Sequence, residues 1–157
     1  MKKIILLALL CIGSVFAFHA PAAEAEADEV SIPLLKRWAS EKYGCKVDKD
    51  GDLMLNSDNG KFFVSVIGKA KLIRIFSLFA AEEGRSRSEM RSLANKFNDS
   101  KRFLRVAVDE SDGSVTCDYY IVYDGGLNSA NFLEALDWFV NLEKAWARYV
   151  VNGGDDE

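Results

Sequence analysis

Two closely spaced turn signals, Asp48-Lys49-Asp50-Gly51 and Ser57-Asp58-Asn59-Gly60, constrain this chain more than any other feature. They punctuate three short runs, residues 45–47, 52–56 and 61–67, each too short for a helix. Asn59-Gly60 is the pair a tight hairpin selects, because both residues accept positive φ. Strands joined by such turns run antiparallel. The region is therefore committed to a meander and excludes a parallel sheet of βαβ units. Residues 68–70 turn into a further run, 71–80, rich in Ile, Leu and Phe. Its alternation is weak because both faces are largely apolar, and its β-branched and aromatic content favours a strand over a buried helix.

Helices flank the meander. Ser31 opens a short one, with Pro33 in its first turn, Leu34, Leu35, Trp38 and Ala39 on its apolar side, and Gly44 as the stop. Ser86 with Glu89 makes a capping box ahead of Met90, Leu93, Ala94 and Phe97, one helical face. Residues 101–109 and 114–123 read as a second hairpin. The last helix starts near Asn128 or Ser129 and runs to about Val151, striped by Phe132, Leu136, Phe139, Leu142, Trp146 and Tyr149. The order α-β-β-β-β-α-β-β-α predicts an α+β fold, an antiparallel sheet with packed helices.

The N-terminus reads as an export signal. Lys2 and Lys3 precede a long apolar run and a small-residue stretch, with candidate cuts after Ala17, Ala23, Ala25 or Ala27, the last three favoured. The run is short for a membrane span, so no stable span is expected after cleavage. The predicted divisions are residues 1–25 as signal peptide, 26–30 as flexible linker, 31–152 as one domain and 153–157 as acidic tail. Location is then periplasmic or secreted. His19 is the sole histidine, and three of the four cuts remove it.

Little chemistry remains. The chain has no G-x-S-x-G and no phosphate loop, and without histidine it lacks the commonest general base and metal ligand. No catalytic residue, cofactor or metal is predicted. Asp48, Asp50 and Asp52 surround Gly51, but Asn59 stands where a calcium loop needs its twelfth-position carboxylate; turn formation accounts for them. Cys45 and Cys117 are an even pair after cleavage, either a disulfide or two buried thiols.

Particular residues carry a resemblance to a known family. Tyr43-Gly44, the GDL at 51–53, Phe62-Phe63, then Leu93, Asn95 and Asn98 as L-x-N-x-x-N, and Gly125-Gly126-Leu127 with Asn131-Phe132 resemble the YbjN domain. The resemblance covers residues 31–151. It implies a fold like that of type III secretion chaperones, often dimeric, in a family of sensory-transduction regulators with no assigned catalytic residues. Asn95 and Asn98 are its signature pair, and both are expected to be structural: Asn98 in a left-handed helix exit, Asn95 bonded to a neighbouring loop.

Charge is uneven. From Arg85 to Arg105 seven basic residues face two acids, whereas residues 109–157 hold eleven acids against Lys144 and Arg148. Such asymmetry steers partners or simply solvates a surface. A net charge of −4 and export argue against nucleic acid. Met54, Phe63, Phe103, Tyr120 and Val122 are expected on a sheet face opposite the helices, which points to a homodimer or client surface. A non-enzymatic protein-binding module is the first expectation. A binder of a small apolar ligand or lipid is the second, and a carboxylate hydrolase the third.

Overall fold

The meander forms as its turns require. The computed structural model describes residues 22–155. Its elements are β1 (Glu24–Ala25), α1 (Ile32–Ala39), β2 (Cys45–Val47), β3 (Leu53–Ser57), β4 (Gly60–Ile67), β5 (Leu72–Phe79), α2 (Arg87–Ser100), β6 (Arg105–Val108), β7 (Val115–Val122), β8 (Leu127–Asn128) and α3 (Ser129–Val151). A single 3-10 turn, Gly68–Ala70, links β4 to β5. The six-stranded sheet runs β2-β3-β4-β5-β7-β6, with every pair antiparallel.

The hairpin between β3 and β4 differs in detail from the expected Asn-Gly turn. Ser57 pairs with Gly60, so the loop residues are Asp58 and Asn59. Asn59 keeps a negative φ, and Gly60 alone takes the positive angle, at 126°. Asn59 Nδ2 instead donates to the Val140 carbonyl of α3 at 3.2 Å, tying the turn to the long helix.

β5 lies centrally, between β4 and β7; its Ile73 and Ile75 are buried beneath the helices, and Phe76 on its other side is buried too, while Leu78 is exposed. Leu53, Leu55, Phe62, Val64, Ile73, Ile75, Val106, Val115 and Cys117 point to one side and are buried beneath the helices. Phe62 lies between Tyr43, met edge-on at 5.5 Å, and Phe139, tilted at 5.6 Å, and Trp38 meets Phe132. Tyr43 Oη also donates to Asp137 Oδ1 at 2.5 Å, and Lys42 pairs with the same carboxylate, fixing α1 to α3.

α2 forms with both halves of its predicted capping box in place. It lies along the outer edge of β6. Arg87 Nη1 donates to the Glu110 carbonyl at 2.5 Å, and Arg91 pairs with Glu110. Its inner face packs on α3 through Phe97, Trp146 and Tyr149. Arg85 Nη2 donates to the Val150 carbonyl at 2.7 Å, placing a cation at the C-terminal end of α3 beside the Gly153 amide that donates to the same oxygen at 3.1 Å. Arg85, Arg87, Arg91 and Arg105 are thus used internally, and the basic segment is largely a set of ties.

Residues 26–30, expected as a linker, form a turn in which Glu29 N donates to the Glu26 carbonyl and Val30 is buried. β1 pairs with β8, and Ser129 N donates to the Ala23 carbonyl at 2.7 Å. Residues 1–21 of the expected signal peptide lie outside the described residues.

Candidate interaction surface

Strand register decides which side chains share the second face of the sheet. Met54, Phe63, Phe76, Asp118 and Arg105 form one row across β3, β4, β5, β7 and β6. Ser65, Arg74 and Tyr120 form the next, and Ile67, Leu72 and Val122 a third. The buried helix-side residues alternate with these along each strand, so the rows lie on the face away from the helices. Val122 is 70% exposed, Leu78 62% and Tyr120 45%. Met54, Phe63, Tyr120 and Val122 therefore sit where the sequence places them. Phe103 does not: it precedes β6, and its ring meets Trp138 of α3 edge-on at 5.8 Å, on the helix side.

The charges on this face are held within it. Asp118 is only 3% exposed and lies between two arginines. Arg74 reaches Asp118 Oδ1 at 2.5 Å, and Arg105 Nη1 lies 3.5 Å from Oδ2. The Arg74 guanidinium rests 4.1 Å from the centre of the Phe76 ring, which stacks on Phe63 at 5.4 Å. The result is an apolar and aromatic plane crossed by an Arg-Asp-Arg bridge.

The signature asparagines separate in role. Asn98 is inside α2, not at a left-handed exit; Lys101 caps the helix in an extended conformation. Asn98 Nδ2 donates to the Val106 carbonyl at 2.9 Å, and Val106 N donates to Asn98 Oδ1 at 2.8 Å. Its amide thus copies the pairing of a missing strand against β6. Asn95 is exposed on the same helix and is not bonded to a loop among the described residues.

Cys45 and Cys117 are free thiols. They lie on β2 and β7, four strand positions apart, roughly 19 Å at ~4.8 Å per strand, whereas a bridge needs Cα atoms within about 7 Å. Cys45 Sγ approaches Ser40 Oγ at 3.2 Å. Asp48 Oδ1 accepts from the amides of Asp50 and Asp52 at 2.9 and 3.0 Å, so that aspartate builds the turn. Burial, then Asp48 and Asp50, push the Asp52 carboxyl above its ordinary range.

Sequence reasoning missed one cluster. Ser77 and Cys117 are register partners facing α3, whose Glu143 is 3% exposed. Burial raises the Glu143 carboxyl. Burial, followed by the nearby Glu143, pushes the Cys117 thiol up to about 12. The buried Ser77 hydroxyl makes no hydrogen bond of good geometry among the described residues, yet lies close enough to act on both groups in the direction opposite to burial. The signal was present: Glu143 stands four residues after Phe139 and three before Trp146, inside the buried stripe.

Hollows are shallow. One of about 280 Å³ is lined by Phe103, Tyr119, Ala135 and Trp138. Among the described residues, no group of three or more His, Cys, Asp or Glu could hold a metal ion, and no helix is long and apolar enough to cross a membrane.

A six-stranded antiparallel sheet clad by helices on one face defines an α+β protein. The chain belongs to the YbjN family: the family model described as "Putative bacterial sensory transduction regulator" matches residues 12–149. It is similar to the crystal structure of YbjN from E. coli, at TM-score 0.54 and 14% identity, over 78% of this chain and 89% of that one. It is equally similar to a chain of the HopA1-SchA chaperone-effector complex, at TM-score 0.54 and 14% identity, over 73% of this chain and 90% of that one. These likenesses bear out the chaperone-like α+β fold expected from the sequence. No curated protein matches the chain.

Proposed function

We propose that this chain is an exported, non-enzymatic protein-binding module, chaperone-like or regulatory in role, that self-associates through the open face of its sheet. The carrying observation is that face: exposed Leu78, Tyr120 and Val122 on adjoining strands, around charges already neutralised among Arg74, Asp118 and Arg105. Large exposed apolar surface on one side of a sheet favours contact with another chain. A chain of net charge −4 repels its copies, so self-contact is best made through surface whose charges are paired. The fold neighbour from a chaperone-effector complex and the family's description as a regulator, which names no reaction, support the same reading. Export rests on the lysines, apolar run and alanines of the N-terminus.

A small apolar ligand between sheet and helices has less support, since Phe103 and Trp138, two walls of the apolar hollow, are themselves exposed. Carboxylate hydrolysis has less still: Glu143 lies inside the core, out of reach of a substrate in solvent.

Light scattering tests the proposal. The purified protein is expected at twice its chain mass, and Val122→Glu is expected at the mass of one chain with an unchanged melting temperature. A wild-type chain that stays monomeric and co-purifies with no other protein overturns it.

A further inference from the structure

The residues just after the expected leader are part of the fold. Ala23 O accepts from Ser129 N at 2.7 Å, beside the N-terminus of α3. Glu24 and Ala25 pair with Asn128 and Leu127. Lys71 Nζ donates to the Ala27 carbonyl at 3.3 Å, and Val30 is buried. The opposite wall is shaped to receive this strap. Gly126 has φ 94°, and a Cβ on it would stand 2.8 Å from the Ala25 carbonyl oxygen.

We infer that, resting on the export reading, the leader is removed at the Ala17–Phe18 bond and that the strap from Ala23 to Val30 stays with the mature protein. Of the four candidate bonds, a cut after Ala23 carries away with the leader the Ala23 carbonyl that accepts from Ser129 N. Cuts after Ala25 or Ala27 remove β1 outright. Of the four, only the cut after Ala17 leaves all of these contacts of residues 23–30 in place. Ala17 stands at the first position before that bond, where a signal peptidase takes a small side chain, and Val15 at the third. The reaction is hydrolysis: water adds across the peptide bond, the leader departs with the Ala17 carboxylate, and Phe18 gains a free α-amino group. The mature protein then retains His19, against the expectation that it has no histidine.

Intact mass and N-terminal sequencing of the exported protein test this. A chain beginning at Phe18 is expected. A chain beginning at Glu24, Glu26 or Asp28 overturns the inference while leaving export standing. A chain that still carries residues 1–17 overturns the export reading and this inference with it, and its mass tells the two failures apart. Melting provides a second measurement, on leaderless chains started at Phe18 and at Glu26. The longer is expected to melt about 5 °C or more above the shorter, on the usual scaling of stability with melting temperature for a domain of this size; equal melting temperatures overturn the structural role of the strap.

Discussion

At the residue scale, Asn98 is the clearest case of a side chain doing the work of backbone. It satisfies both outward groups of Val106 at once. Asn98→Ala leaves a strand amide and carbonyl without partners and is expected to cost about 2 kcal/mol, read by denaturant unfolding. Asn95→Ala, on exposed helix surface, is expected to change stability by less than about 0.5 kcal/mol. Equal effects would mean the pair acts together. Glu143 carries a pH prediction. Its raised folded-state pKa means the folded chain holds the proton longer than the unfolded chain, whose ordinary value is 4.5. Stability is then fullest below that value and is lost as pH rises toward the folded pKa. Asp52 acts in the same direction. Glu143→Gln is expected to match wild type near pH 4 and to melt higher at pH 8; superimposable pH profiles would dismiss the idea. For the thiols, buried Cys117 is expected to resist a thiol reagent in the native protein while Cys45 reacts, both reacting once unfolded.

At the element scale, local chemistry that stays within one helix or one turn was legible. Ser86 and Glu89 announce the start of α2, and Asn128 caps α3 through Ala130 and Asn131. Long strands were legible too, because their composition is strong. What depended on distant partners was not. β1 and β8 are two residues each and are defined only by pairing with one another across the whole sequence. No local pattern marks Ala25 as a strand residue. Gly126 is the trace the pairing leaves, and Gly126→Ala tests it. Strain at positive φ plus the clash with Ala25 is expected to cost about 2 kcal/mol and to speed amide exchange in residues 23–30. Gly125→Ala, with open space around it, is the matched control.

At the scale of the whole molecule, the sheet's two faces follow from alternation, which the sequence displays. The Arg74–Asp118–Arg105 bridge follows from register between strands far apart in the chain, which it does not. Which of the two cysteine alternatives holds was not legible for the same reason, since parity of thiols carries no information about strand order. The Asn98 contact has a last consequence for how copies of this chain can join. Ladder bonds from Gly44 and Asp48 to β3 leave Cys45 and Val47 of β2 with outward backbone groups that bond nothing else among the described residues. β6, by contrast, has its Val106 pair filled and α2 alongside. A fibre built by strand addition to this sheet needs two open edges, and among the described residues the six-stranded sheet offers one. Strand-to-strand joining through β2 would therefore give a continuous sheet of two copies with a plugged β6 edge at either end.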